Sequence, residues 1–165
     1  MKKLFLVRHA KSSWDEPGLS DLERPLNKRG KKDAPFMADL VKNSGQHFDQ
    51  IISSPALRAI TTAMIFAEAL GFNKKDIIKK ESLYEADFED ILNNIRELDN
   101  SAESAILFGH NPGLTIFNNY MTDKQIENLP TCGILEIEFD LESWRDIEEY
   151  SGKLISFDYP KNHLH

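Results

Sequence analysis

The sequence predicts an α/β fold in which a mostly parallel central sheet carries helices on both faces. Two observations support that expectation. Short apolar runs without alternation, Leu4-Phe5-Leu6-Val7 and Ala105-Ile106-Leu107-Phe108, with Ile51-Ile52 as a shorter one, read as strands buried on both sides. Between them lie segments with helical periodicity and helix start and stop residues, and strand alternating with helix is the pattern of parallel sheets.

The strand at residues 4–7 is followed by a polar, turn-rich stretch over residues 10–24, with Pro17-Gly18 and the acids Asp15, Glu16, Asp21 and Glu23, which reads as a surface loop. Asn27 can cap a helix leading towards Val41; Pro35 must kink that helix or begin a second piece of it, and Gly45 ends it. After Ile51-Ile52, Ser54 reads as an N-cap and Pro55 as the first helical residue. The helix runs to Leu70 and stops at Gly71. Its Ala56, Ala59, Ile60, Ala63, Ala67 and Leu70 make one stripe of small apolar residues suited to close packing on a sheet. Phe88, Ile91, Leu92, Ile95 and Leu98 recur at three and four, so residues 87–99 form an amphipathic helix. Gly109-His110-Asn111 is a turn after the third strand, and Pro112 starts a helix to about Tyr120. Residues 134–139 alternate apolar and acidic, and residues 153–159 are strand-like; they can pair as an antiparallel hairpin around Trp144, giving the sheet an antiparallel edge.

A chain of 165 residues, 41% hydrophobic and 28% charged, has the size and composition of one globular domain, residues 1–165. The formal net charge of −7 argues against a nucleic-acid footprint and against a polybasic membrane anchor. Cys132 is the only cysteine, so no internal disulfide can form and a reducing compartment fits best. The apolar run after Met1-Lys2-Lys3 ends at Arg8, too short for a signal peptide or a membrane span, which makes the cytoplasm the expected location.

The chemistry lies at the strand ends. Val7 runs into Arg8-His9, Ile52 into Ser53-Ser54-Pro55 and then Arg58, and Phe108 into Gly109-His110. In open α/β sheets ligands bind at the carboxyl ends of strands, so two arginines and two histidines can converge there and make an anion pocket. Guanidiniums stay charged and hold phosphate oxygens bidentately, which suits phosphoryl transfer. A covalent route needs a nucleophile. Cys132 is followed by Gly133-Ile134-Leu135-Glu136 with no arginine to cradle a phosphate, and no Walker-type glycine loop occurs. A neutral imidazole at the end of a rigid strand can attack phosphorus in line, and His9 is placed for that.

Leu6-Val7-Arg8-His9-Ala10 resembles the Arg-His signature of the histidine phosphatase superfamily, with Ala10 where glycine is usual. Ser53-Ser54-Pro55-Ala56-Leu57-Arg58-Ala59 is similar to the family's second arginine segment, and Gly109-His110-Asn111-Pro112-Gly113-Leu114 to the segment bearing its second histidine. Arg24-Pro25-Leu26 with Gly30, Leu83-Tyr84-Glu85-Ala86, Pro130-Thr131 and Tyr159-Pro160-Lys161 resemble the short SixA-type branch, the phosphohistidine phosphatases. The resemblance implies a phosphoglycerate mutase-like fold. It also implies hydrolysis through a phosphohistidine on His9, with Arg8 and Arg58 holding phosphoryl oxygens and His110 adding a donor. No metal or other cofactor is expected.

The wider superfamily places a catalytic acid between the second arginine and the second histidine, and Glu85 is the candidate here, against the alternative of a solvated carboxylate. Asp15 is not assigned to phosphate binding, because mutase-like relatives often carry asparagine there. The acids from Asp15 to Glu23, if near the mouth, would repel polyanions such as nucleotides. The expected substrate is phosphohistidine on a protein; the alternatives are a small phosphomonoester and, from another class, a module that binds phosphorylated protein without turnover. Cys132 reads as a small buried residue, and His163 and His165 as a mobile tail rather than a metal site.

Overall fold

The computed structural model describes residues 1–163. Six strands form one sheet: β1 (Lys2–Arg8), β2 (Gln50–Ser53), β3 (Ile78–Lys79), β4 (Ser104–Gly109), β5 (Ile134–Phe139) and β6 (Gly152–Asp158), in the order β3-β2-β4-β1-β5-β6. The pairs β1–β4, β2–β4 and β2–β3 are parallel, whereas β5 runs antiparallel to both β1 and β6. The antiparallel edge therefore falls where the alternating sequence placed it. The two-residue edge strand β3 carries no apolar run of its own, and its residues are exposed, so periodicity had nothing to detect.

The continuous apolar runs are explained by two cores. Leu4 and Leu6 of β1 and Ala105 and Leu107 of β4 face one of them, together with α3 (Phe88–Arg96) and α4 (Gly113–Met121). Phe5, Val7, Ile106 and Phe108 face the other, under α1 (Lys28–Asn43) and α2 (Leu57–Leu70). Successive side chains point to opposite faces, so a strand covered on both sides has no polar position to spare. On β5, Leu135, Ile137 and Phe139 enter the first core while Glu136 and Glu138 remain partly exposed on the other side. Trp144, between β5 and β6, is fully buried and donates Nε1–H to the Ala102 carbonyl at 2.8 Å.

Pro35 lies inside α1, which runs unbroken to Asn43 from an Asn27 cap whose side chain accepts from Gly30 N at 2.8 Å. Gly30 is required by close approach: a Cβ there would overlap the backbone of Lys11, whose carbonyl accepts from Asn27 N at 2.9 Å. The helix start thus clamps the loop after β1. Asp87 caps α3 reciprocally with Asp90, and Gly71 ends α2 in the left-handed region at φ 71°. Among the described residues no helix is long and apolar enough to cross a membrane.

Candidate active site

The parallel register of β1 and β4 sets Arg8 opposite Gly109, so the next residue of each strand, His9 and His110, emerge side by side. Their ring centroids are 5.2 Å apart, and His9 N donates to the Gly109 carbonyl at 3.1 Å. Serines 53 and 54 leave the end of β2 beside them, and Arg58 stands in the first turn of α2. Arg8, His9, Arg58, Glu85 and His110, the residues singled out in the sequence, all line one cleft of about 340 Å³.

His9 is buried, and its Nδ1 lies 2.8 Å from the Ala10 carbonyl. A carbonyl oxygen only accepts, so Nδ1 carries the proton and Nε2 keeps its lone pair. Burial, against the supporting effect of that hydrogen bond, and then the nearby His110, Arg58 and Arg8 bring the His9 pKa down to about 3. The imidazole is neutral near pH 7. Thr62 steadies the segment: its Oγ1 accepts from Ala10 N at 3.0 Å and donates to the Arg58 carbonyl at 2.7 Å, tying the residue after His9 to the helix that bears Arg58.

The two arginines differ in their partners. Arg8 Nη1 donates to the Leu129 carbonyl at 3.0 Å, while its buried Nε finds no acceptor among the described residues. A buried donor without a partner is costly. Arg58 is held at both Nη atoms by Asp21, donating to its backbone carbonyl at 2.6 Å and to Oδ2 at 3.0 Å. Arg24 Nη1 donates to Asp21 Oδ1 at 3.0 Å and the Tyr84 hydroxyl to Oδ2 at 2.5 Å. The Tyr84 hydrogen bond above all, then those from Arg24 and Arg58, hold the Asp21 carboxyl well below the usual carboxylate range. Asp21 is thus an exposed loop acid, as the sequence suggested, but its carboxylate also joins Arg24, Arg58 and Tyr84 at the edge of the site.

His110 Nε2 is 2.7 Å from Ser54 Oγ, and the Tyr84 ring meets its ring edge-on at 5.8 Å. Burial first, then Arg58, lower the His110 pKa to about 4, with Asp21 opposing. The Ser54 partnership corrects the sequence reading. Helix α2 begins at Leu57 with Ala56 as its N-cap and no side-chain cap, while Ser54 Oγ accepts from Ala56 N at 3.2 Å and faces His110. A serine before a proline has the form of a cap, but here its hydroxyl is committed to an imidazole. Pro112 likewise occupies the N-cap of α4 rather than its first turn, and the Asn111–Pro112 peptide is cis. Asn111 donates Nδ2–H to the Leu129 carbonyl at 2.8 Å, the oxygen that also receives Arg8, and its Oδ1 accepts from Thr115 Oγ1 at 2.9 Å.

Glu85 stands exposed at the rim, in the left-handed region at φ 53°, and no hydrogen bond to its carboxylate occurs among the described residues. Trp14, 77% exposed, lies over the Arg24 guanidinium at 3.2 Å from ring centroid to Cζ. Arg24 also donates Nε–H to the Ser13 carbonyl at 3.0 Å and an Nη2 proton to Ser12 Oγ at 2.6 Å, so it organises the loop after β1. Sequence reasoning gave Arg24, Tyr84 and Ser54 no role in the site, although each lies in a motif it quoted; Asp21 was legible only as an acid. Asp15 is exposed and lines no part of the cleft.

Cys132 is buried, as expected, and its thiol pKa is raised by that burial; it adopts φ 58° while its N–H reaches the carbonyls of Arg8 and His9 at 3.0 and 3.1 Å. His163 is not a loose tail. Its Nε2 sits 2.8 Å from both Asp158 carboxylate oxygens and its ring lies 5.5 Å from Phe36. His165 lies outside the described residues. Among the described residues no group of three or more His, Cys, Asp or Glu is placed to hold a metal.

Residues 4–112 match the family model of the histidine phosphatase superfamily (branch 1). An uncharacterised chloroplastic protein of Arabidopsis thaliana is 30% identical over 159 residues, which cover 92% of this chain and 72% of that protein. A structure from Agrobacterium tumefaciens, of a protein assigned as the phosphohistidine phosphatase SixA, superposes with a TM-score of 0.82 at 29% identity, covering 96% of this chain and 98% of the other. Phosphoserine phosphatase 1 of Hydrogenobacter thermophilus is 40% identical over 89 residues, 53% of this chain and only 40% of that enzyme.

Proposed function

Because this chain belongs to the histidine phosphatase superfamily, in its SixA-type branch, we propose that it hydrolyses protein phosphohistidine through a covalent phosphoryl group on His9. The observation that carries this reading is that His9 lines a cleft shared with two arginines and a second histidine while the Ala10 carbonyl holds its Nδ1 proton, which leaves the lone pair on Nε2. In the first step Nε2 attacks phosphorus in line and the bond to the leaving group breaks, the leaving atom taking a proton from water or from Glu85 at the rim as it departs. The positive charge that develops on the His9 ring is eased by the Nδ1–H bond to the Ala10 carbonyl. Arg8 and Arg58 take up the charge on the phosphoryl oxygens, with His110 as a further donor. In the second step water attacks phosphorus, the bond to Nε2 breaks with its electrons returning to the ring, and phosphate and neutral His9 result. Positioning and charge stabilisation by these side chains account for the rate, and no metal enters the scheme.

Two features favour a protein substrate. The Agrobacterium structure of similar size is assigned as a phosphohistidine phosphatase, and the cleft opens to solvent beside the exposed Trp14 and Glu85, which leaves room for a phosphorylated side chain presented on a protein surface. The partial match to a phosphoserine phosphatase keeps a small phosphomonoester as the second reading. The test is rapid quench with a phosphohistidine protein and, separately, with phosphoserine, followed by peptide mapping. An acid-labile phosphoryl group on His9 from the phosphohistidine protein is the expected result. Turnover of phosphoserine alone selects the second reading, and turnover without any adduct at His9 removes the mechanism.

A further inference from the structure

Arg58 binds a carboxylate although the cleft it lines is built for a phosphoryl group. Asp21 takes both Nη atoms, and no partner of the Arg58 Nε occurs among the described residues although Arg58 lines the cleft. The same carboxylate receives Arg24 from its own loop and Tyr84 from the segment before α3, so donors from separate parts of the chain fix one acid in place. Nothing in the two-step reaction needs an anion there. A negative charge beside a phosphate site weakens phosphate binding, so it would not be held by so many donors unless it served another purpose.

We propose that Asp21 is a resident counter-anion, which fixes the orientation of Arg58 for the transferring phosphoryl group and, through its charge, keeps the cleft from holding free phosphate tightly. An arginine with its outer end forked onto Asp21 can present only its inner edge, which is the pre-organisation that transition-state stabilisation requires. Product phosphate carries the same charge as the group being transferred, and an unopposed pair of guanidiniums would retain it. Asp21 offsets part of that attraction without occupying the inner edge. The two roles, position and charge, belong to different atoms of the interaction and can be separated.

The inference rests on the phosphoryl-binding reading of the cleft. Asp21→Asn keeps the shape and an acceptor for Arg58 but loses the charge. Its dissociation constant for inorganic phosphate, measured by calorimetry without turnover, should fall about tenfold, and phosphate should inhibit the reaction correspondingly more strongly. Asp21→Ala removes the side-chain contact as well, and kcat should fall about 100-fold while KM changes little. Melting temperatures show whether each variant is folded; if Asp21→Asn is not, Asp21→Ser carries the same expectation for phosphate. Phosphate affinity that is unchanged or weaker in the charge-deleted variant overturns the counter-anion role, and an undiminished kcat in Asp21→Ala overturns the positioning role. A protein that gains phosphate affinity as expected yet cleaves no phosphohistidine overturns only the substrate reading.

Discussion

His9 and His110 leave the ends of neighbouring strands, one buried and the other half-buried, and are both neutral near pH 7, yet they are held in different ways. His9 is tied by Nδ1 to a carbonyl, which can only accept, so its tautomer is fixed. His110 is tied by Nε2 to the Ser54 hydroxyl, which can donate or accept, so its proton can sit on either nitrogen. In the proposed reaction the first ring offers the same lone pair at every turnover, whereas the second can change between donor and acceptor. The largest expected effect follows from that contrast. His9→Ala should lower kcat by more than about 10³-fold, because the covalent route is lost, whereas His110→Ala should cost about 10²-fold through a lost donor. Steady-state rates with trapping of the adduct check both. Equal losses, with phosphoryl transfer still detected in His9→Ala, would erase the distinction.

Stability against pH sharpens the comparison at a smaller scale. Both imidazoles titrate below the unfolded value of about 6.5, His9 at about 3 and His110 at about 4. As pH falls below 6.5 the unfolded chain takes up protons that the folded protein refuses, so ν for the unfolded state exceeds ν for the native state and stability drops. The contribution of each ring is complete above pH 6.5 and is lost towards its folded pKa, with a slope of up to about 1.4 kcal/mol per pH unit per group. Thermal unfolding between pH 7.5 and 3 should show this loss. His110→Ala should flatten it down to about pH 4 and His9→Ala down to about pH 3. A curve unaffected by either substitution would mean that neither histidine is kept neutral by burial.

How legible these residues were in the sequence depends on whether backbone pattern or side-chain partnership places them. His9, Arg8 and His110 follow directly from apolar runs, because a strand buried on both faces has to deliver the next residue to the sheet end. Arg58 follows from the helix after β2. Ser54 and Asp21 do not: each has an ordinary local explanation, cap or loop acid, and only the tertiary contact with His110 or Arg58 reveals the other use. The same limit explains His163, which looked unattached until Asp158 and Phe36 were brought beside it. The short β3 strand was missed because two exposed residues have no periodicity.

The smallest expected effect concerns Glu85 and separates the leaving group from the phosphoryl group. Its carboxylate stands at the rim, beside Tyr84 and without a hydrogen bond among the described residues, so it is free to reach a departing atom. Its left-handed backbone is an uncommon place for a residue with a Cβ, and such positions tend to occur at functional sites. An alkoxide leaving from a phosphomonoester is strongly basic and gains from protonation in the transition state, which a positioned acid supplies at about 10²-fold or more. Imidazole leaving from phosphohistidine departs as a neutral or readily protonated nitrogen and gains much less. Glu85→Gln should therefore lower kcat/KM about threefold or less on a phosphohistidine protein and about 10²-fold on an alkyl phosphate, with melting temperature unchanged. Large and equal losses would make Glu85 a general requirement of the reaction. No loss on either substrate would leave it a solvated carboxylate and pass the proton to water.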